Sequence, residues 1–346
     1  MKILSIAYAL PSKRVTNEDL IQEIFARNQG RIPESEQEPL REKLNRFFAM
    51  SGSQTRFHRN NGERAIDFAL QAGNAALEKA GAKREDVDLL IYAGVGRGWV
   101  EPATANLFQS ELGLRSATCF DVLDACASWI RSLAIAKSFL AQKVHKLIMI
   151  LNCECNFREY ANFDIANAQD LENSFSAFTI GEAATATLVS PGDGEDDSFF
   201  SFKTWGEKHG LCKITLPNAD DFSPSNGNGA YVKPMSFFTA PSELLSFTIR
   251  KLVSHYKETD GLASRIYDLI VGHAVSVSST ARAVAMMSLD PSRVFDTHAR
   301  FGNTVSASLP LGLAVAEQEG RLTRGMRVLL VMGSAGVTTA FSSFEY

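Results

Sequence analysis

The chain has 346 residues, of which 45% are hydrophobic and 21% charged, so it is long enough for two domains and its composition excludes a disordered chain. Its formal net charge of -4 argues against a nucleic-acid-binding protein and a polybasic membrane surface, because both need clustered positive charge. Five cysteines, an odd number without disulfide-scaffold density, favour a reducing, cytoplasmic location. No apolar run is long enough for membrane insertion, and the opening MKILSIAYAL predicts a first strand.

Buried strands and amphipathic helices follow one another twice along the chain. Runs rich in Leu, Ile and Val predict strands at 88–93, 118–123 and 146–151, and again at 268–272, 294–296 and 327–332. The helical patterns between them also recur, which predicts two copies of one layered α/β unit. We expect halves at 1–191 and 192–346, with the acidic, glycine-rich GDGEDD at 192–197 as the linker.

Cys126 follows a predicted strand and precedes a predicted helix in the stretch FDVLDACASWIRSLAIAKSFL. Unpaired N–H groups and the macrodipole at a helix N-terminus favour an anion, which suggests a stabilised thiolate. A single cysteine is nonetheless more often a small packed hydrophobe. Cys126 and Asn303 occupy related places in the two halves, each shortly after a Phe-Asp strand, so two helix starts are expected to face one site.

Three segments stand out together: DACAS around Cys126, VGHAVS around His273, and RFGNTVSASLP around Asn303. In this order, with a strand before each, they resemble the β-ketoacyl-ACP synthase III branch of the thiolase superfamily. The resemblance covers nearly the whole chain, including SGSQTRFH, TLPNAD and the Gly-rich ending GSAGVTTA. It implies the α/β thiolase fold, with two pseudo-duplicated halves in a layered αβαβα arrangement.

The resemblance also implies a mechanism. Cys126 would attack an acyl thioester and carry the acyl group, as an activated thiol can. His273 and Asn303 would hold the carbonyl oxygen of the second substrate and stabilise the enolate that attacks the acyl-enzyme. Taken alone, His273 reads as a core histidine and Asn303 as a turn residue.

Further expectations concern the oxyanion hole and the substrates. The backbone N–H of Cys126 and one from the segment at Ala335 and Gly336 are the expected hole for the acyl group, and Ser276 is a further candidate for substrate binding. The resemblance implies thioester substrates, acyl-CoA or acyl carrier protein, with no cofactor and no metal. It also implies a homodimer. The sequence leaves the donor open, because Ser278 stands where synthase III often has a carrier-docking arginine.

The main departure from synthase III lies in GVGRGWVEPATANLF at 94–108. Many synthase III enzymes have an apolar residue at the position of Glu101, where it walls the partner's acyl pocket. A glutamate there resembles the head-to-head condensing enzymes of the olefin-hydrocarbon pathway and the ketosynthases that make pyrones, cyclohexanediones and dialkylresorcinols, in which it acts as a base in the other subunit's site. The alternative is that Glu101 merely favours a helix start before Pro102.

Some segments and alternative functions complete the predictions. The segment 152–178 is expected to form a lid and shape the acyl tunnel. Cys153 and Cys155 have metal-like spacing but no second pair, so they are expected to be strand-end residues. His298 lies close to Asn303 in sequence and is expected to be a loop residue, with a place in the pocket as the alternative. We expect a condensing enzyme of fatty-acid-derived or polyketide-type secondary metabolism. The alternatives are a same-fold acyltransferase to an alcohol or amine, and a non-catalytic subunit of a heterodimer.

Overall fold

The computed structural model describes residues 1–192, 194, 197–222 and 233–346. The strands of the first half are β1 (Lys2–Ala9), β2 (Lys13–Thr16), β3 (Thr55–His58), β4 (Leu89–Ala93), β5 (Thr118–Val122), β6 (Ile148–Glu154) and β7 (Ala183–Ser190). Its helices are α1 (Asn17–Arg27), α2 (Glu34–Ser51), α3 (Ala65–Ala80), α4 (Thr104–Glu111), α5 (Ser128–Ala141) and α6 (Ala168–Phe178).

The second half follows the same course. Its strands are β8 (Phe199–Thr204), β9 (Cys212–Ile214), β10 (Phe237–Thr239), β11 (Leu269–Gly272), β12 (Val294–Phe295), β13 (Arg327–Ser334) and β14 (Thr338–Glu345). Its helices are α7 (Ala219–Phe222), α8 (Pro241–Glu258), α9 (Val277–Met286), α10 (His298–Phe301) and α11 (Ser308–Gln318). Short 3-10 helices at Phe157–Tyr160, Gly206–Leu211 and Val305–Ala307 lie between these elements.

Two five-stranded sheets carry the fold, and they have equivalent topologies. The first has the order β1-β7-β6-β4-β5 and the second β8-β14-β13-β11-β12. In each sheet the last three strands run parallel and the first two pair antiparallel. The pseudo-duplication predicted from the repeated strands is therefore confirmed. The predicted linker at 192–197 joins β7 to β8, and its residues 193, 195 and 196 lie outside the described residues.

The sheets form part of a five-layer stack. In β4, Leu89 and Ile91 pack in the central core with α5 and α11, whereas Leu90 and Tyr92 pack on the other side against α3 and α4. α8 and α9 cover the outer face of the second sheet in the same way. Strands buried on both faces explain the near-continuous apolar runs in the sequence. The result is the expected αβαβα arrangement.

A further group of helices covers one end of the stack. α1, α2 and α6 bury a common apolar cluster that includes Ile21, Leu44 and Leu171. The predicted lid thus contributes α6, but residues 152–154 continue the buried strand β6 and do not belong to a covering segment. Within the described part of the chain, no helix is long and apolar enough to cross a membrane.

The close approach at Gly181 gives a test of this fold. A Cβ on Gly181 would overlap the carbonyl oxygen of Phe301, a backbone atom that cannot move aside cheaply, whereas Gly206 has open space around it. We expect Gly181→Ala to lower the free energy of unfolding by about 1–3 kcal/mol, the usual cost of overpacking. Gly206→Ala is the control. Urea unfolding of both variants measures the difference, and equal midpoints would contradict the predicted clash.

Candidate active site

A cavity of about 400 Å³ lies where the two halves meet and receives side chains from both. Cys126, His273 and Asn303, which the sequence predicts to meet, all line it. Much of the remaining wall is apolar and includes Val95, Leu123, Phe157, Ile180, Ile214 and Phe237. The cavity therefore combines a thiol, an imidazole and an amide with an apolar space beside them.

Cys126 lies on a sharp turn between β5 and α5. Ala125, the residue before it, has φ 46°, in the left-handed region that residues other than glycine rarely adopt. Such backbone strain costs on the order of 1–3 kcal/mol and persists where the surroundings enforce it. The Ser128 hydroxyl holds the turn in this conformation, since it accepts a hydrogen bond from the N–H of Asp124 at 2.9 Å and donates one to the carbonyl of Ala125 at 2.7 Å.

The second half also holds this turn, through Ser334 at the end of β13. The Ser334 Oγ accepts the N–H of Ala127 at 3.2 Å and donates to the carbonyl of Asp124 at 3.2 Å. Ser334 and Ala335 line the cavity, and Gly336 follows them with φ 120°. Of the residues predicted for the acyl oxyanion hole, Cys126 and Ala335 thus lie at the cavity wall.

Burial controls the protonation of the Cys126 thiol. It raises the pKa well above the ordinary value, and nearby Cys212 and Glu154 raise it further. The sequence suggested the opposite, a thiolate stabilised by a helix N-terminus. Cys126 lies two residues before the first residue of α5, and burial is the largest cause of the shift in its pKa. The thiol is therefore protonated at rest.

His273 directly follows β11, and its backbone N–H donates to the carbonyl of Val331 at 2.9 Å. Burial, with a smaller contribution from His298, lowers the pKa of His273 to about 3, so the imidazole is neutral. Its Nδ1 is buried and has no hydrogen-bond partner among the described residues. A neutral ring carries one N–H and one lone pair, so it can either accept a proton or donate a hydrogen bond.

Asn303 is held by backbone bonds to the chain before β7. Its N–H donates to the carbonyl of Thr179 at 2.9 Å, and its carbonyl accepts the N–H of Gly181 at 3.0 Å. The side-chain Oδ1 accepts the N–H of Val305 at 2.9 Å. Since the amide oxygen is already used, the Nδ2 donors are the part of the side chain left for a ligand in the cavity.

Two family models match the segments that build this cavity. The 3-oxoacyl-[acyl-carrier-protein] synthase III model matches residues 120–206, which include Cys126, and the C-terminal model of the same family matches residues 258–346, which include His273 and Asn303. Together they span just over half of the chain. The chain belongs to the synthase III-like condensing enzymes of the thiolase superfamily. It is a ketosynthase, an enzyme of the acyltransferase class.

Individual relatives agree with this assignment. β-Ketoacyl-[acyl-carrier-protein] synthase III of Symbiobacterium thermophilum is 29% identical over 282 residues, which cover 80% of this chain and 81% of that protein. The Thiobacillus denitrificans enzyme of the same name is 24% identical over 346 residues, covering 100% and 99% of the two chains.

Solved structures share the fold over nearly the full length. Cerulenin-bound Xanthomonas campestris OleA has a TM-score of 0.84 and 21% identity, covering 99% of this chain and 96% of that chain. OleA with bound lauric acid and lauroyl-CoA has a TM-score of 0.80 and 21% identity, covering 99% and 98% of the two chains. At this identity the likeness establishes the thiolase fold of the ketosynthase.

A second, larger cavity of about 940 Å³ leads to the same site in this ketosynthase. It shares part of its lining, including Ser176, Val275 and Asn303, with the first cavity, so we call it the vestibule. Ser276 lines the vestibule, where its Oγ accepts the N–H of Ser279 at 3.2 Å and caps α9. The predicted substrate-binding serine therefore lies on the approach to the site and serves as a helix cap.

Glu101 is exposed and is not among the described residues that line either cavity of its own chain. Trp99 and Val100, which precede Glu101, are 39% and 68% exposed, and Leu123, which follows β5, is 61% exposed. Leu123 also belongs to the cavity wall. One wall of the cavity thus reaches the protein surface at Leu123, and Trp99 and Val100, next to Glu101 in sequence, are also exposed apolar side chains.

Sequence reasoning missed Glu154, the residue between the two cysteines of NCECN. The carboxylate is fully buried and accepts the N–H of Val95 at 2.9 Å, the N–H of Gly96 at 2.8 Å and the hydroxyl of Ser306 at 2.5 Å. Burial raises its pKa. Glu154 thus joins the 94–98 loop to the segment after Asn303. A carboxylate inside an apolar strand is rare, and this is the feature of the sequence that could have indicated its role.

The neighbouring cysteines have a structural role. Cys153 and Cys155 are buried, and the Cys153 thiol donates to the carbonyl of Ala65 at 3.2 Å. Over the described ranges, no cluster of three or more His, Cys, Asp or Glu side chains has an arrangement that could hold a metal ion.

The raised pKa of Cys126 predicts how the thiol reacts with an alkylating agent. Only the thiolate is nucleophilic, so the rate of carbamidomethylation by iodoacetamide at Cys126 should rise about tenfold per pH unit from pH 7 to 9 without a plateau. Mass spectrometry with peptide mapping measures the rate, and Cys126→Ala verifies the assignment. A plateau below pH 7 would instead reveal a stabilised thiolate.

Proposed function

We propose that this ketosynthase catalyses a Claisen condensation of two acyl thioesters through an acyl-Cys126 intermediate. The observation that supports it best is that Cys126, His273 and Asn303 line one largely apolar cavity, with a protonated thiol and a neutral imidazole. The apolar wall suits an acyl chain, and the vestibule suits the thioester arm that delivers it.

In the first half-reaction, the Cys126 sulfur attacks the carbonyl carbon of the first thioester. His273 takes the thiol proton as the carbon–sulfur bond forms and returns it to the departing thiol of CoA or the carrier protein. With Nδ1 unpartnered, the protein does not fix one tautomer of the ring, so the same ring is a base here and a donor in the next step.

In the second half-reaction, the enolate carbon of the second thioester attacks the acyl-Cys126 carbonyl. A carbon–carbon bond forms, the carbon–sulfur bond to Cys126 breaks, and the Cys126 thiolate takes up a proton that balances the α-proton removed from the second thioester. His273 and the Nδ2 group of Asn303 donate hydrogen bonds to the enolate oxygen, where negative charge develops. The bond from Val305 to the Asn303 Oδ1 supports this role, because it leaves the amide donors for the substrate.

We further propose a homodimer in which Glu101 of each chain acts as the base in the site of the other. Exposed Trp99, Val100 and Leu123 support a partner surface beside the cavity. A carboxylate that removes an α-proton makes the condensation non-decarboxylative. The reaction needs thioesters and no cofactor, and the lauroyl-CoA complex of OleA favours an acyl-CoA donor over a carrier protein. We place the enzyme in the cytoplasm, in fatty-acid-derived or polyketide-type metabolism.

The roles of the three cavity residues can be separated by half-reaction. Cys126→Ala should abolish acylation, whereas His273→Ala and Asn303→Ala should retain some acylation and lose ~10²-fold or more in condensation. Intact-mass analysis with a panel of acyl thioesters measures the first step, and product formation the second. Cys119→Ala, on the strand β5 that leads to the Cys126 turn, is the control. An acyl adduct in Cys126→Ala, or unchanged condensation in both His273→Ala and Asn303→Ala, would refute the assignment. Normal acyl transfer to an alcohol or amine by Asn303→Ala would instead indicate the same-fold acyltransferase.

The Glu101 proposal predicts complementation between two defective chains. Glu101→Gln should abolish condensation but not acylation, because the amide cannot remove the α-proton. In a heterodimer of Glu101→Gln and Cys126→Ala chains, one of the two sites combines an intact Cys126 with an intact Glu101, so about half of the per-site activity should return, as expected for subunits that share a site. Glu111→Gln, an exposed carboxylate nearby, is the control.

Two results would contradict this proposal. Full condensation by Glu101→Gln would mean that the enolate arises without this base, as it does when a malonyl thioester loses carbon dioxide. No recovery in verified heterodimers would mean that Glu101 does not act across the interface.

A further inference from the structure

His298 is fully buried as the first residue of α10, although the sequence suggested a loop residue. Its ring Nδ1 lies 2.8 Å from the carbonyl oxygen of Ala274, the residue after His273. Its own carbonyl accepts the N–H of Gly302 at 2.9 Å, and Gly302 precedes Asn303. His298 thus connects the two backbone segments that carry the proposed enolate-binding residues, through its ring on the Ala274 side and through its backbone carbonyl on the Gly302 side.

The hydrogen-bond partners determine the protonation of this ring. A carbonyl oxygen only accepts hydrogen bonds, so Nδ1 carries the hydrogen and donates a hydrogen bond to the carbonyl oxygen of Ala274. Nε2 then holds a lone pair that is buried without a partner among the described residues. Burial lowers the pKa of His298 in spite of the Ala274 bond and nearby Asp296, and Arg56 lowers it further, so the ring is neutral.

An unpaired buried nitrogen has a free-energy cost that an apolar side chain would avoid. The hydrogen bond to the Ala274 carbonyl is an interaction that an apolar side chain cannot make. Ala274 is itself fully buried, and its N–H already bonds the Ser308 hydroxyl at 2.8 Å. With both its N–H and carbonyl paired, residue 274 has one defined position, and so has the attached His273.

We propose that His298 is a positioning residue that fixes the distance between His273 and Asn303 through its bonds to Ala274 and Gly302. Both donors must meet the same developing oxyanion, so their separation matters more for condensation than for acylation, a step in which the proposed mechanism uses His273 but not Asn303. This inference rests on the proposed function for its catalytic consequence. Its structural consequence, a rigid link between residues 274 and 302, can be measured without substrate.

The test compares His298→Leu, which fills the site without a donor, with His298→Asn, whose Nδ2 can replace the Nδ1–H. In His298→Leu the condensation rate should fall ~10- to 100-fold, as expected for a displaced catalytic group, with acylation changed by no more than ~3-fold. His298→Asn should recover most of the loss. The control is His255→Leu, which removes another fully buried histidine, bonded to Ser201 and Thr339 at 2.8 Å each.

Hydrogen exchange of the backbone provides the measurement that does not depend on activity. Amides in peptides covering 271–276 and 299–304 should exchange faster in His298→Leu than in the wild type, return towards wild-type rates in His298→Asn, and stay unchanged in His255→Leu. Unchanged exchange in His298→Leu, or parallel loss of acylation and condensation in both His298 variants, would overturn the proposal. If the wild type fails to acylate Cys126, the proposed function fails, and the exchange rates still decide the role of His298.

Discussion

Two backbone hydrogen bonds between Asn303 and the segment 179–181 connect the halves of the ketosynthase at its cavity. They place the amide opposite the strand-to-helix turn of Cys126, and the Ser334 hydroxyl ties that turn to the second half. The glycine at 181 makes the approach possible, because any side chain there would meet backbone atoms. The geometry of the site is thus a property of the contact between the halves, and neither half contains it alone.

Burial where the two halves meet also sets the protonation states in the cavity. Burial shifts the pKa of a thiol upwards and that of an imidazole downwards, so Cys126 and His273 are both neutral. A neutral pair avoids the desolvation cost of a buried ion pair before substrate arrives. Charge then develops only during the reaction, where fixed donors can stabilise it.

The sequence predicted the fold well because it repeats itself. Apolar runs of β4 and β11 have the same place in the two halves, and the Cys, His and Asn motifs each follow a strand, so their meeting could be anticipated. The protonation state of Cys126 could not be anticipated, because it depends on how far the folded chain buries the sulfur. Glu154 was missed because the flanking cysteines are the more conspicuous part of NCECN. The burial of His298 was missed because a short polar stretch does not reveal that distant parts of the chain cover its ring.

The protonated state of Cys126 also affects how the enzyme tolerates oxidants. Peroxides convert thiolates to sulfenic acids, whereas a protonated thiol reacts slowly. Cys212, which lines the same cavity, is equally protected, because burial raises its pKa to about 12. Between turnovers the proposed nucleophile is therefore slow to react with oxidants, and in the proposed mechanism it becomes reactive only when a thioester is bound and His273 takes its proton.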